Sequence, residues 1–319
     1  MSTAAVVPAW NGRGWLPACL ASLYAQDVPF TEIVVVDNGS TDGTVAWLER
    51  EHPRVRVLAL GRNTGFAVAA NRGIDATDTA YVALVNTDVE LEPDWHRRLH
   101  GALNADPAAA AVACKMLDLA DPRVIYDTGD VLRRDGVCEQ RGRFRRDDGR
   151  YDEDGEVFAA CAGAALYRRD AVLAVGGFDE RFFAYLEDVD LGLRLRLAGW
   201  RCLYVPAVAR HAGGGSSDQL ARPVPGWVAR NTVLMVVKAW PVRWAGPVLY
   251  RQLAWLVHAG RGGTLRAHLG GLAAAVPLIP AMLSARRRLR AGSALSIVDA
   301  VPRTPWRGPR AGGHPRSAA

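Results

Sequence analysis

The chain has 319 residues, half of them apolar, which suffices for about two domains and a sizeable buried core, so global disorder is excluded. Its formal charge of +6 conceals a split: residues 1–220 carry 24 basic and 32 acidic side chains, while residues 221–319 carry 15 basic and a single acidic one, Asp299. An acidic body with a basic C-terminal third implies different partners for the two parts, nucleic acid and an anionic membrane surface being the candidates for the basic one.

Short apolar runs at Ala4–Val7, Ile33–Val36, Val55–Leu60 and Tyr81–Val85 alternate with segments of helical spacing, such as Leu16, Leu20 and Leu23. That alternation predicts a βαβ arrangement with parallel strands covered on both faces. Each run ends in polar or glycine-rich residues, Trp10-Asn11-Gly12, Asp37-Asn38-Gly39, Gly61-Arg62-Asn63 and Asn86-Thr87-Asp88. Ligands of open α/β sheets bind outside the carboxyl ends of the strands, so the four clusters are expected to meet in one cleft. Residues 118–156, rich in Arg, Asp and Gly, read as a loop or irregular hairpin region. Order is expected again over Val157–Tyr167 and Ala171–Val175, then in a helix from Val189 to Ala198 stopped by Gly199, and in a strand over Cys202–Val205. A Gly213–Ser217 loop follows. Helical segments are expected at Trp227–Val237, Gly246–His258 and Leu265–Ala285, and residues 291–319 read as a disordered tail. The domain reading is a catalytic domain over 1–225 and a helical, basic extension over 226–290.

Five cysteines with no CxxC pair indicate neither a disulfide framework nor a zinc knuckle, and fit a reducing compartment. No charged region followed by an apolar run opens the chain, so a cytoplasmic protein is expected. The uncharged stretch Ala267–Ala285 is marginal as a membrane span because Gly270, Gly271, Pro277 and Pro280 interrupt it.

Four places can carry chemistry. Asp37 at a strand end can accept hydrogen bonds from a base or ribose, or serve a turn and the helix cap that follows. Asp88 can hold a divalent cation against a diphosphate, or cap a turn. The stretch Phe178–Asp190 packs four aromatics and five carboxylates into 13 residues, too many aromatics for a solvated face. Its Glu187, Asp188 and Asp190 either favour a helix N-terminus or include a general base. His211 can ligate a metal or be structural.

Together these residues resemble glycosyltransferase family 2, and within it the bacterial rhamnosyltransferase-like enzymes. The resemblance rests on Val6–Gly12, the VVVDNGSTDGT run from Val34 to Thr44, Asn63–Ala67, Asn71–Ile74, Asn86-Thr87-Asp88, the GGFDERFFAYLEDVDLGLRLRLAGW block from Gly176 to Trp200, and Arg210-His211. It implies a GT-A fold, Rossmann-like, with a C-terminal helical extension. It also implies inverting transfer of a sugar, with rhamnose a candidate, from a dTDP-, UDP- or GDP-sugar donor to an acceptor hydroxyl on a glycan or polyprenyl-diphosphate-linked intermediate. By motif position, Pro8, Trp10 and Asp37 line the base and ribose pocket, with Asn63 and Asn86 also on the donor side. Asp88 and His211 match the site of a divalent cation, Mg²⁺ or Mn²⁺. Asp188 of the Glu187-Asp188 pair matches the catalytic base. Asn86 stands where the family's DxD element has its first Asp, so one carboxylate is missing there.

A nucleotide-sugar-binding protein without catalysis is the alternative, favoured by Asn86 and opposed by the intact Glu187-Asp188 pair and His211. A dehydrogenase is a poorer reading, for no GxGxxG follows the first strand, and no reader module supports nucleic acid. The basic third, with Trp227, Trp240, Trp244 and Trp255 among apolar residues and arginines, reads as a membrane-surface element, which would put the protein peripherally at the inner face of the cell membrane, or else as helices packed on the body.

Overall fold

The computed structural model describes residues 2–214, 219 and 223–301. Its first half is the expected alternation: β1 (Thr3–Ala9), α1 (Leu16–Tyr24), β2 (Glu32–Asp37), α2 (Thr44–Glu51), β3 (Arg56–Ala59), α3 (Phe66–Asp75) and β4 (Tyr81–Val85). β1 lies between β2 and β4 and pairs in parallel with both, and β3 pairs in parallel with β2. Successive residues of β1 face opposite layers, Val7 joining Leu16, Leu20, Trp95 and Leu99, and Val6 joining Ala70, Ile74, Leu84 and Phe178. Both faces are therefore dry, which is why the strands read as unbroken apolar runs.

The second half continues with β5 (Val89–Leu91), α4 (Trp95–Ala105), β6 (Ala109–Asp118), β7 (Ile125–Asp127), β8 (Asp130–Leu132), β9 (Cys138–Gln140), β10 (Gly155–Val157), β11 (Ala164–Arg168), α5 (Arg169–Ala174), α6 (Glu187–Leu197) and β12 (Arg201–His211). The main sheet runs β10-β12-β6-β11-β4-β1-β2-β3, with β5 on β12 and β7 on β6, while β8 and β9 form a separate hairpin. It is mixed, because β11 is antiparallel to both β4 and β6. The segment read as one stretch, Val157–Tyr167, divides into β10 and β11. The strand expected over Cys202–Val205 extends to His211, where β12 pairs with β5. Residues 118–156 hold β7, β8 and β9, strands of three residues each, too short to show a period.

The basic third folds as α7 (Val224–Ala239), α8 (Ala245–Arg261), α9 (Leu265–Ala275), α10 (Ile279–Ala291) and α11 (Ile297–Ala300). By length and composition alone the run Leu265–Ala291 could cross a membrane, yet a 3₁₀ turn at Val276–Leu278 breaks it. α7 shares a core with the body: Leu234, Met235 and Trp240 pack with Phe182, Val189 and Leu193. A buried ion pair from Lys238 to Asp190 ties α7 down further, and one from Arg251 to Asp135 does the same for α8.

Two expectations are corrected here. The tail does not begin at residue 291, because residues up to 301 dock on the body. The N–H groups of Ala294 and Leu295 donate to the Leu197 carbonyl at the end of α6, and Arg134 donates to the carbonyls of Val298 and Val301. The remainder of that stretch, 302–319, lies outside the described residues, as do Gly215, Ser216 and Ser217 of the expected glycine-serine loop. The tryptophans also do not form an outward belt: Trp240 and Trp244 are buried, and Trp227 stacks on Phe183 at 4.7 Å. The large apolar residues left outward in the described part of the extension are Val242, Leu249, Tyr250, Leu253 and Val257 on and just before α8, Leu265 and Leu269 on α9, and Val276, Leu283 and Leu295.

Candidate active site

The carboxyl ends of β1, β2 and β4 bring the first clusters together, as their register requires. Ala9 pairs with Asp37, so half-buried Trp10 stands one step beyond it, and half-buried Pro8 pairs with Val36. Asp37 is buried; one carboxylate oxygen accepts the N–H groups of Gly39 and Ser40 at 3.2 Å, and the other, Oδ1, has no hydrogen bond among the described residues. A buried oxygen left open at a strand end is what a ribose hydroxyl or base N–H would fill.

Two asparagines outside the expected site set shape this wall. Asn11, at φ 49°, accepts the Thr41 N–H at 2.8 Å and joins the loop after β1 to the loop after β2. Asn38 takes the Thr64 N–H and hydroxyl at 2.8 Å and donates to Asn63 Oδ1 and the Gly65 carbonyl. The Asn63 oxygen also takes the Gly65 N–H, so it is spent on holding this loop. Gly65, at φ 91°, lies so close to Phe183 that a Cβ there would stand 2.6 Å from it. The loop after β3 thus abuts the aromatic segment before α6.

At the opposite wall, the pairing of β12 with β5 sets His211 against Val89 and delivers its Nε2 to within 3.1 Å of Asp88 Oδ1. Burial pushes the Asp88 carboxyl up, but the His211 hydrogen bond and charge and the Gly214 N–H outweigh it, and the net shift is downward. His211 Nδ1 is buried with no hydrogen bond among the described residues. Asn86 donates its N–H to the Gly163 carbonyl, and a Cβ on Gly163 would stand 3.3 Å from the Asn86 amide and 3.7 Å from the His211 ring. Asn86, Asp88 and His211 therefore surround one small space. Two donors on adjacent positions of one octahedral cation lie about 3 Å apart, so the Asp88–His211 spacing fits such an ion. Among the described residues no set of three or more His, Cys, Asp or Glu side chains is grouped to hold a metal. The remaining ligands would have to come from substrate and water, as is usual for Mg²⁺.

Asp188 lies in the first turn of α6, reached through Phe183, Tyr185 and Leu186, all at positive φ. Such non-glycine residues need surrounding structure to hold them. Asn231 of α7 supplies it, its Nδ2 reaching the carbonyls of Phe182, Ala184 and Tyr185 at 2.6–3.0 Å. Asp188 is half-buried and accepts the Ala162 N–H at 3.1 Å. Burial raises its carboxyl, against the pull of the Ala162 and Val189 N–H groups. A carboxylate with raised proton affinity is suited to general-base work. Glu187 is buried instead, its carboxyl pushed well above the usual range by burial and by the Asp188 charge.

The model of glycosyl transferase family 2 matches residues 4–176, over half of the chain. The chain belongs to this family. A second model, glycosyl transferase family group 2, matches residues 152–283. The chain is 34% identical over 210 residues to the N-acetylglucosaminyl-diphospho-decaprenol L-rhamnosyltransferase of Mycobacterium tuberculosis, covering 59% of this chain and 68% of the relative. Solved structures share its fold. One is Staphylococcus aureus TarS 1-349 in complex with UDP-GlcNAc, with TM-score 0.58, 17% identity, and 92% and 88% of the two chains covered. Another is the mannosyltransferase PcManGT from Pyrobaculum calidifontis in complex with GDP-Man and Mn²⁺, with TM-score 0.53, 19% identity, and 91% and 85% covered. The fold is GT-A, and the protein is a glycosyltransferase that uses a nucleotide-sugar donor.

Proposed function

We propose that the protein moves a sugar, with inversion at its anomeric carbon, from a nucleoside diphosphate sugar to a hydroxyl of a polyprenyl-diphosphate-linked glycan of the cell envelope. L-Rhamnose is the sugar favoured by the likeness to the mycobacterial relative, and dTDP is one of the candidate nucleotides that carry it. The observation that carries this reading is the Asp188 carboxyl at the start of α6, which accepts the Ala162 N–H and is raised in proton affinity by burial.

In this reading Asp37 receives the nucleoside through its open Oδ1, beside Pro8 and Trp10. Asp88 and His211 would hold a divalent cation, Mg²⁺ or Mn²⁺, which supplies charge neutralisation at the departing diphosphate. Asp188 takes the proton of the acceptor hydroxyl as that oxygen attacks the anomeric carbon and the bond to the diphosphate breaks on the far side. Asn231 and Phe183 hold the approach to α6, so that the base meets the acceptor in one geometry.

A lipid-linked acceptor fits the outer face of the extension. Leu249, Leu253 and Val257 follow one another along α8 in an extension with one acidic side chain, a composition suited to resting on an anionic bilayer at the cytoplasmic face of the membrane.

The test is a thermal-shift screen of dTDP-, UDP- and GDP-sugars with and without Mn²⁺, since a bound donor stabilises by mass action. The donor that stabilises is then offered with N-acetylglucosaminyl-diphospho-polyprenol, and product of inverted configuration is expected. A protein that binds donor and forms no product would be a binding protein of the same fold.

A further inference from the structure

The turn after β9 takes no part in the reading above, although it adjoins the Asp88–His211 wall. Tyr126 of β7 meets the His211 ring edge-on at 4.3 Å, and a Cβ on Gly213 would stand 2.5 Å from the Tyr126 ring. The Arg143 guanidinium lies 4.1 Å from the centre of that ring and 4.8 Å from the centre of the Phe144 ring. It donates to Gln140 Oε1 and enters no ion pair among the described residues. Phe144 is 64% exposed at φ 62°, an uncommon backbone for a bulky side chain. Its N–H donates to the Ile125 carbonyl at 3.0 Å, and the Ile125 N–H donates to the Arg145 carbonyl at 2.8 Å, so the turn is tied to β7 on both sides of the ring. Just beyond, Lys115 of β6 holds Asp147 at 2.9 Å. A strained residue that packs little of its side chain has no return in stability, and such positions cluster where ligands bind.

The other end of the same hairpin reaches the basic extension. Between β8 and β9, Asp135 binds Arg251 of α8 at 2.8 Å, and a Cβ on Gly136 would stand 3.2 Å from Val236 of α7 and 3.9 Å from Val248 of α8. One short hairpin therefore joins the helix with the outward Leu249, Leu253 and Val257 to the wall of the cleft.

We propose that Arg143 and Phe144 bind the lipid diphosphate of the acceptor, the guanidinium taking phosphate oxygens and the ring taking the first hydrocarbon units of the polyprenyl chain. The proposal rests on the reading of the acceptor as polyprenyl-diphosphate-linked. A guanidinium matches phosphate oxygens in pairs, and the rings of Tyr126 and Phe144 fix its place. The donor carries polar sugars on both sides of its diphosphate and would leave an exposed phenyl ring unmatched. A polyprenyl diphosphate joins phosphate directly to hydrocarbon, the order in which Arg143 and Phe144 stand.

The experiment is calorimetric titration of the full-length protein with farnesyl diphosphate and with inorganic pyrophosphate, the donor cleft being filled by excess nucleoside diphosphate and Mg²⁺. Wild type should bind farnesyl diphosphate about tenfold more tightly than pyrophosphate, or better. Arg143→Gln should weaken farnesyl diphosphate about 10–100-fold. Phe144→Asn should bring the two probes to within about threefold of each other, and Phe144→Leu should restore part of the preference. Asparagine adopts positive φ more readily than phenylalanine, so Phe144→Asn is expected to melt no lower than wild type. None of the three should change the affinity for nucleoside diphosphate. In turnover of N-acetylglucosaminyl-diphospho-polyprenol, Arg143→Gln and Phe144→Asn should raise the acceptor KM with little change in kcat. Equal binding of farnesyl diphosphate by wild type and Arg143→Gln, or an undiminished preference in Phe144→Asn, overturns the proposal. So does an Arg143→Gln whose loss falls on nucleoside diphosphate instead. A wild type that binds farnesyl diphosphate through these two residues yet glycosylates no polyprenyl-linked acceptor overturns the reading of the function and supports the lipid-diphosphate site.

Discussion

Lys238, near the end of α7, donates to both carboxylate oxygens of Asp190 on α6 at 2.7 and 2.8 Å, and to Asp179 at 2.8 Å. All three side chains are buried. The helix that carries the proposed base is therefore clamped by a residue of the basic extension, which makes α7 part of the catalytic body.

Lys238→Met leaves two carboxylates in the interior short of a partner, and a loss of about 3–5 kcal/mol is expected at neutral pH. Burial raises the Asp179 carboxyl, but Arg181 and Lys238 overcome it and hold the carboxyl well below the usual range. A depressed carboxyl contributes stability above its unfolded value of about 3.9, and that contribution fades as pH falls toward the folded value. The difference between wild type and variant should therefore narrow on acidification below about pH 4, which urea melts at several pH values would read.

Asn231→Ala removes the donor that ties α7 to the segment before α6. The carbonyls of Ala184 and Tyr185 lose this donor, while that of Phe182 keeps the Ala184 N–H, and a cost of about 2–3 kcal/mol is expected. Because Phe183, Tyr185 and Leu186 stand at positive φ, that segment should relax once released, and turnover should fall more than donor binding does. Melting temperature and a kcat against KM comparison measure the two effects.

His211→Ala takes away the nitrogen that faces Asp88. Loss of outer partners alone commonly weakens metal affinity by about 10–100-fold, so removal of a direct donor should cost at least that. The expected result is a Mn²⁺-dependent thermal shift, in the presence of nucleoside diphosphate, that requires about tenfold more cation or more. An unchanged Mn²⁺ titration would take His211 out of the cation site.

Leu253→Glu with Val257→Glu puts two charges on the outward face of α8. Each apolar side chain buried in a bilayer boundary contributes about 1.5–3 kcal/mol, so affinity for vesicles containing anionic lipid should fall by about a hundredfold or more. Flotation of both proteins with such vesicles decides it, and equal flotation would remove this face from membrane contact.

The strand ends that carry Asp37 and Asp88 are legible in the sequence because β1, β2 and β4 are covered on both faces, so each apolar run ends abruptly at its polar cluster. α6 was legible too, since Gly199 stops it, although it begins at Glu187, two residues before the periodic stripe shows. β6 left no comparable mark: it opens on Ala109, Ala110 and Ala111, small residues with little strand preference. Asp127 reads as one more acidic residue in an Arg-Asp-Gly segment, and only the pairing of β7 on β6 buries it. The tryptophans misled because aromatic and basic residues suit both a bilayer surface and an interdomain core, and the choice depended on Phe183, Lys238 and Asp190, all remote in sequence.

The most direct measurement is turnover and donor binding by Asp188→Asn. The amide is nearly isosteric and cannot take the hydroxyl proton, so donor binding by thermal shift should match wild type while kcat falls by about 10²–10⁴. Turnover within a few-fold of wild type, at an unchanged donor affinity, would contradict the assignment of Asp188 as the base.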